Sequence, residues 1–173
     1  KGATEKITRY LINKNHKHIS YINISEKYNF ASERKSSFLK TLKLFNIKFN
    51  QNYYASVKLE QPEKSFEIIK KMLFENKKIT AIICSTEYSA LSAIKACNYL
   101  DLKIGSDISI ITFDGPLVRD LSSPSITAAS FPVKLLGKKA INILLENNKI
   151  FKKSNNFLAK SEIIERGSVH TVK

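Results

Sequence analysis

The sequence has 173 residues, of which 43% are hydrophobic and 25% charged. That bounds it to one globular domain or two small subdomains with a sizeable core. It has no apolar run near the roughly 18 to 20 residues of a membrane helix and no signal-peptide core at its start. Basic residues outnumber acidic ones 29 to 15, a net charge of +14. The lysines are scattered through every segment, without a basic stripe interleaved with aromatics, a zinc finger or a helix-turn-helix, so the chain carries no DNA-reading head of its own.

Ala3, Ile7, Tyr10 and Leu11 recur at helical spacing. The β-branched run ISYINI (19–24) predicts a strand, and SEKYN ends it. Phe38, Leu42 and Phe45 mark a helix that starts near Ser32. NYYASV (52–57) reads as a weaker strand. Pro62 can open the next helix, with Phe66, Ile69 and Leu73 on its apolar stripe. TAIIC (80–84) is a short buried strand. Ser85 or Thr86 can cap the following helix, which carries Glu87 in its first turn and is expected to bury Leu91, Ile94 and Cys97.

DISIITF (107–113) is the next strand, and PSITAAS (124–130) reads as a short extended crossing. Pro132 starts a helix with Val133, Leu136, Ala140, Ile141 and Leu144 on one face, where Gly137 would permit close packing. KSEIIERGS (160–168) predicts a last strand. Strands that alternate with helices over short connections predict an α/β fold, a Rossmann-like three-layer arrangement around a parallel sheet, because parallel neighbours need crossovers. The abrupt start at the first helix implies a piece of a longer protein.

Cys84 and Cys97 are too few for a disulfide framework and lack zinc-ligand spacing, which predicts buried free thiols in a reducing cytoplasm. Glycine-rich phosphate loops and the G-x-S-x-G nucleophile elbow are absent. His16, His18 and His170 lack metal-site spacing, and the first two sit at a helix end, where a cation complements the dipole. These features point away from an enzyme, a metal site and a bound cofactor.

Open parallel sheets bind ligands beyond the carboxyl ends of their strands. Three such ends carry polar groups. Arg34 follows strand 19–24 and can lean back toward its helix N-terminus; Thr86 and Glu87 follow strand 80–84; Asp114 follows strand 107–113. A carboxylate that accepts from hydroxyls and a planar guanidinium that donates in a fork suit a polyol or nucleoside, with Tyr28 and Phe30 available to pack on a ring face. Each has a plainer alternative. Arg34 and Asp114 could pair with each other, Thr86 could be only a helix cap, Tyr28 and Phe30 could be loop packing, and Glu87 a solvated acid.

The stretch ITAIICSTEYSALSAIKACNYLDLKIGSDISIITFDGP resembles the hallmark region of the lactose- and galactose-repressor family of bacterial transcription regulators, with its PTAI strand and G-L-x-V-P-x-D-I-S-V-V-G-F-D run. SERKSSFLKTL is similar to the family's ER..GF..AL, PSITAASFPVKLLGKKAINILL to its PLTTV..P…LG..A…LL, and EIIERGS to its closing LVVR.S. The resemblance runs in order through nearly the whole chain.

It implies the C-terminal half of a type I periplasmic-binding-protein-like effector domain. Residues 1–128 would form the C-terminal subdomain, 129–158 a crossover and helix belonging to the N-terminal subdomain, and 159–173 a return strand and tail. The implied function is effector sensing in an inter-subdomain cleft by a cytoplasmic homodimer that contacts no membrane. The effector would be a sugar, sugar phosphate or nucleoside-like molecule, and operator DNA would be bound only through a head absent from this chain. A secreted sugar-binding protein of a transport system is the alternative.

By position, the resemblance assigns Arg34 and Asp114 to effector binding, with Thr86 where many members place an Asn. Thr86-Glu87 replaces the family's Asn-Asp. Ile104-Gly105 replaces its Val-Pro, which predicts a looser turn.

Overall fold

The structure, a computed structural model, describes residues 2–58, 61–113, 115–145 and 157–173. Its elements follow in the order α1 (Gly2–Asn13), β1 (Ile19–Ile24), α2 (Asn29–Leu44), a single 3-10 turn (Gln51–Tyr53), β2 (Tyr54–Val57), α3 (Pro62–Glu75), β3 (Ala81–Cys84), α4 (Glu87–Tyr99), β4 (Ser109–Phe113), α5 (Pro116–Asp120), β5 (Thr127–Ser130), α6 (Val133–Leu145) and β6 (Glu162–Ile164). One six-stranded sheet runs β2-β1-β3-β4-β5-β6. Every pairing is parallel except β5 with β6.

The strands are apolar on both faces, as a sheet covered on both sides requires. Side chains alternate across the pleat. Ile22, Ile82, Cys84 and Ile110 face α3 and α4, in a core with Ile69, Leu73, Ala93 and Cys97. Tyr21, Ile83, Ile111 and Phe113 face α1 and α2, in a core with Ile7, Leu11, Phe38 and Leu42. This is the three-layer α/β arrangement expected from the sequence. Cys84 and Cys97 are both buried and free, and burial pushes both thiols well above their ordinary range.

Several elements differ from expectation. α2 starts at Asn29, because Tyr28 is extended (φ −88°, ψ 123°) and acts as N-cap without a side-chain bond. Phe30 is therefore a first-turn helix residue and not part of a loop. Residues 124–130 are not merely a crossing: Thr127–Ser130 joins the sheet, parallel to β4 in the register Ile111↔Thr127. Leu91 and Ile94 are only half-buried. A short helix, α5, follows Gly115 directly. The last strand shortens to 162–164 because Ser168 serves another purpose. It wedges between β4 and β5, where Ile110 N donates to its carbonyl (2.9 Å) and Thr127 N to its hydroxyl (2.8 Å).

The turn at Ile104-Gly105 is tight rather than loose. Gly105 has φ +86°, and a Cβ there would lie 2.3 Å from the Gly167 carbonyl oxygen. A proline, fixed near φ −65°, could not take this conformation.

His16 corrects another expectation. It is fully buried at the amino ends of the strands, with Nδ1 2.9 Å from Thr80 Oγ1 and Nε2 3.1 Å from the His170 carbonyl oxygen. The carbonyl can only accept, so Nε2 carries the proton and Nδ1 accepts from the threonine. Burial lowers its pKa to about 4, which leaves the ring neutral and not a cation for the helix dipole.

Candidate functional site

Three connections meet at the carboxyl ends of β1, β3 and β4. After β1 the chain turns through Ser25–Tyr28, with Tyr28 N donating to Ser25 O (3.2 Å). A side-chain brace holds this turn. Buried Asn23 donates from Nδ2 to Ala31 O (2.9 Å) and to the Tyr54 hydroxyl (3.2 Å). Tyr54 in turn donates to Glu26 Oε1 (2.9 Å), which Lys35 Nζ also reaches at 2.6 Å. Lys35 and Tyr54 together hold the Glu26 carboxyl below its ordinary pKa range. Sequence reading missed this brace, since its four members come from β1, β2, the turn and α2, and no local spacing links them.

Arg34 projects from the second turn of α2 back over the strand ends. Its guanidinium lies 3.8 Å above the Phe113 ring centroid and 5.3 Å from that of Phe30, while Nη1 donates to Ser85 O at 2.9 Å. Stacking on an aromatic face and one fixed hydrogen bond define the plane of the fork. Burial pulls the Arg34 pKa down, yet an arginine remains charged across the ordinary pH range. Beneath it, the Tyr21 hydroxyl and Ser85 Oγ are buried without a hydrogen-bond partner among the described residues.

Thr86 is the N-cap of α4 in a reciprocal box. Ser89 N donates to Thr86 Oγ1 (3.2 Å), and Thr86 N donates to Ser89 Oγ (3.1 Å). The T-x-x-S spacing was the available signal for this box. Tyr28 and Phe30 stack on each other with centroids 5.8 Å apart and remain roughly half exposed. Glu87 extends over Gly115, where a Cβ would lie 1.8 Å from its carboxyl carbon. The first turn of α4 thus packs on the chain just beyond β4.

Arg34, Phe30, Tyr28 and Thr86 are therefore gathered on one rim. Asp114 lies outside the described residues; its neighbours Phe113 and Gly115 flank that position on the same rim. The rim offers a fixed guanidinium, exposed aromatic faces and the start of α4. That set is suited to a polar ligand with an apolar face. Among the described residues, no group of histidines, cysteines and acids could hold a metal ion, and no helix is long and apolar enough to cross a membrane.

Residues 8–169 match the model of a periplasmic binding protein-like domain. Among curated proteins, the chain is 33% identical over 158 residues to the HTH-type transcriptional repressor PurR of Histophilus somni, covering 91% of this chain and 45% of that protein. It is 36% identical over 145 residues to the repressor of the same name from Actinobacillus pleuropneumoniae, covering 84% and 43%. The chain thus spans less than half the length of these relatives.

Among solved structures, a sugar-binding transcriptional regulator of the LacI family from Escherichia coli superposes with a TM-score of 0.86. The two are 21% identical, over 98% of this chain and 61% of that one. A transcription regulator from Lactobacillus plantarum gives a TM-score of 0.86 at 19% identity, over 98% and 66%. At these identities the superpositions establish the fold.

Proposed function

Since this chain belongs to the periplasmic binding protein-like domain family, in the company of lactose- and galactose-repressor-type regulators, we propose that it is part of the effector-sensing region of such a regulator. The whole protein would bind a small polar effector, a sugar or sugar derivative, against the rim of Arg34, Phe30 and Tyr28. Occupancy would change its affinity for operator DNA, bound through a part of the protein outside this chain. The reading is of a cytoplasmic, dimeric binding protein and not of an enzyme.

The observation that carries it is Arg34. An arginine that, among the described residues, commits its Nη1 to Ser85 and its faces to two rings retains donors that can point outward, at the sheet edge where open α/β folds take ligands. Asp114, which follows β4 in the sequence, would supply the complementary acceptor. Thr86 contacts the effector only if its hydroxyl can serve the cap and the ligand together.

Residues 1–128 would form one jaw, 129–158 cross to the other, and 159–173 return. In support, α6 buries none of its residues although Val133, Leu144 and Leu145 are apolar, and a Cβ on Gly137 would meet nothing within 4 Å. A helix with this composition is suited to cover from the missing jaw.

Thermal-shift screening of the full-length protein against sugars, sugar phosphates and nucleosides identifies a ligand, and calorimetry then measures its affinity. Arg34→Ala should weaken it by roughly tenfold or more, the equivalent of about 1.4 kcal/mol. Addition of the same ligand should shift operator binding in a mobility assay. A hit whose affinity survives both Arg34→Ala and Asp114→Ala would remove the rim from consideration.

A further inference from the structure

A second concave surface lies at the opposite edge of the sheet, about 17 Å away along β1. A cleft of about 830 Å³ opens where the chain enters β1, β2 and β3, and a neighbouring cleft of about 370 Å³ shares Lys17 and His18 with it. The larger one is lined by Lys17, Lys48 and Lys78, by His18 and by the aromatic wall of Phe49 and Tyr53, among others. Among the described residues, neither cleft has a carboxylate side chain in its lining.

Lys14, Lys35, Lys70 and Lys71 each find a glutamate. Lys17, Lys48 and Lys78 have no ion pair or hydrogen bond among the described residues. They converge on one concavity from three separate connections. Like charges held around a concave surface with apolar walls raise the local potential, which an anion relieves.

The walls are fixed while the cations are free to move. Tyr53 is 8% exposed, and its hydroxyl meets His18 Nδ1 at 3.3 Å. The turn that carries Tyr53 is capped by Asn50, whose Oδ1 accepts from Asn52 N at 3.0 Å. Asn46 holds the end of α2 at φ +56°, with Ile47 N donating to Leu42 O at 2.9 Å.

We propose that this trough is an anion site for a small, multiply phosphorylated molecule, distinct from the effector rim. Flexible ammonium groups on a rigid frame can follow phosphates whose spacing is not planar, which suits lysine rather than arginine. The cleft falls within the roughly 300 to 1,000 Å³ of small-ligand sites. A single-stranded nucleic acid is disfavoured because the wall offers no stacking platform. Tyr53 is buried, and Phe49 is packed edge-on against Phe38 and Tyr54.

The test is calorimetric titration of the full-length protein with pyrophosphate and with tripolyphosphate, at low and at physiological salt. Saturable one-to-one binding is expected, tighter for tripolyphosphate. The combined variant Lys17→Gln, Lys48→Gln, Lys78→Gln should weaken it roughly tenfold or more. The variant Lys40→Gln, Lys64→Gln, Lys95→Gln removes the same charge from exposed positions on α2, α3 and α4 and should leave it unchanged, as should Arg34→Ala. Equal weakening by both triple variants would reduce the binding to net charge and overturn the site, as would the absence of saturable binding by either probe. Loss on Arg34→Ala alone would place the anion on the effector rim and overturn it too. Circular dichroism of each variant confirms that the fold is retained, and Lys48→Glu alone, a reversal at an exposed side chain, should by itself weaken binding.

Discussion

Arg34 and Gly105 illustrate two kinds of positional demand. Arg34 was identifiable from its place after β1 and before a helical stripe, but its ring partners were not. Phe113 is 79 residues away in the chain, and only the parallel neighbours β3 and β4 bring its ring under the guanidinium at 3.8 Å. Gly105 stands where the repressor-family pattern that this sequence resembles has proline. Its φ of +86° and the Gly167 carbonyl oxygen together exclude a side chain. Gly105→Ala should destabilise the protein by about 1 to 3 kcal/mol, from strained backbone and a forced shift of the 166–168 segment. Chemical denaturation of the two proteins side by side checks this, and a change within about 0.5 kcal/mol would mean that the turn relaxes freely.

Three helices end by the same device. α1, α2 and α4 close with Asn15 (φ +66°), Asn46 (φ +56°) and Asp101 (φ +54°) in the left-handed region. His16 N then donates to Leu11 O, Ile47 N to Leu42 O and Leu102 N to Cys97 O, the six-to-one bond of a Schellman cap. In a chain with five glycines, Asn and Asp take the position that glycine usually fills. Asn46→Gly and Asp101→Gly should each stabilise by a few tenths to about 1 kcal/mol, since relief of the left-handed strain outweighs the added freedom of the unfolded chain. A raised melting temperature in each variant is the readout; a lowered one would show that the Asn or Asp side chain contributes more than the strain costs.

Element identity was largely readable for the same reason that these helices are regular. Apolar spacing at i, i+3 and i+4, and runs of β-branched residues, are local signals. The start of α2 was placed near Ser32 and not at Asn29 because its N-cap, Tyr28, makes no side-chain capping bond and so leaves no residue-type signal. β5 was undervalued because a four-residue strand gains its stability from β4 on one side and β6 on the other, neither of which is local.

For the whole molecule, the amino-end cluster makes stability depend on pH. His16 is neutral when folded, with a pKa lowered from 6.5 to about 4 by burial. Its contribution is therefore fully present above about pH 6.5. It declines as pH falls toward 4, because the unfolded chain takes up a proton that the folded one refuses, at a limiting slope of about 1.4 kcal/mol per pH unit. Denaturation midpoints measured at pH 7.5, 5.5 and 4.5 should fall more steeply for the native protein than for His16→Asn, and parallel profiles would count against the buried neutral ring.

The exposed α6 makes a further prediction of the same scale. Leu144 is 67% exposed here. If the other jaw covers it, Leu144→Asp in the full-length protein should cost about 1 to 3 kcal/mol, against at most about 0.5 for a solvated position. The two outcomes are separable by thermal melting.

The sequence by itself determined the alternation of helices and strands, and with it the parallel sheet and the edge at which a ligand is expected, because periodicity and connection length are properties of neighbouring residues. It also marked Arg34, Tyr28, Phe30, Thr86 and the position of Asp114 as rim candidates. Only the tertiary structure decided the stacking of Arg34 on Phe113, the four-residue brace at Asn23, the burial of a neutral His16 and the convergence of three lysines at the far edge. Each of these joins residues dozens of positions apart. Their contacts depend on which strands become neighbours and in what register, and no short stretch of chain contains that information.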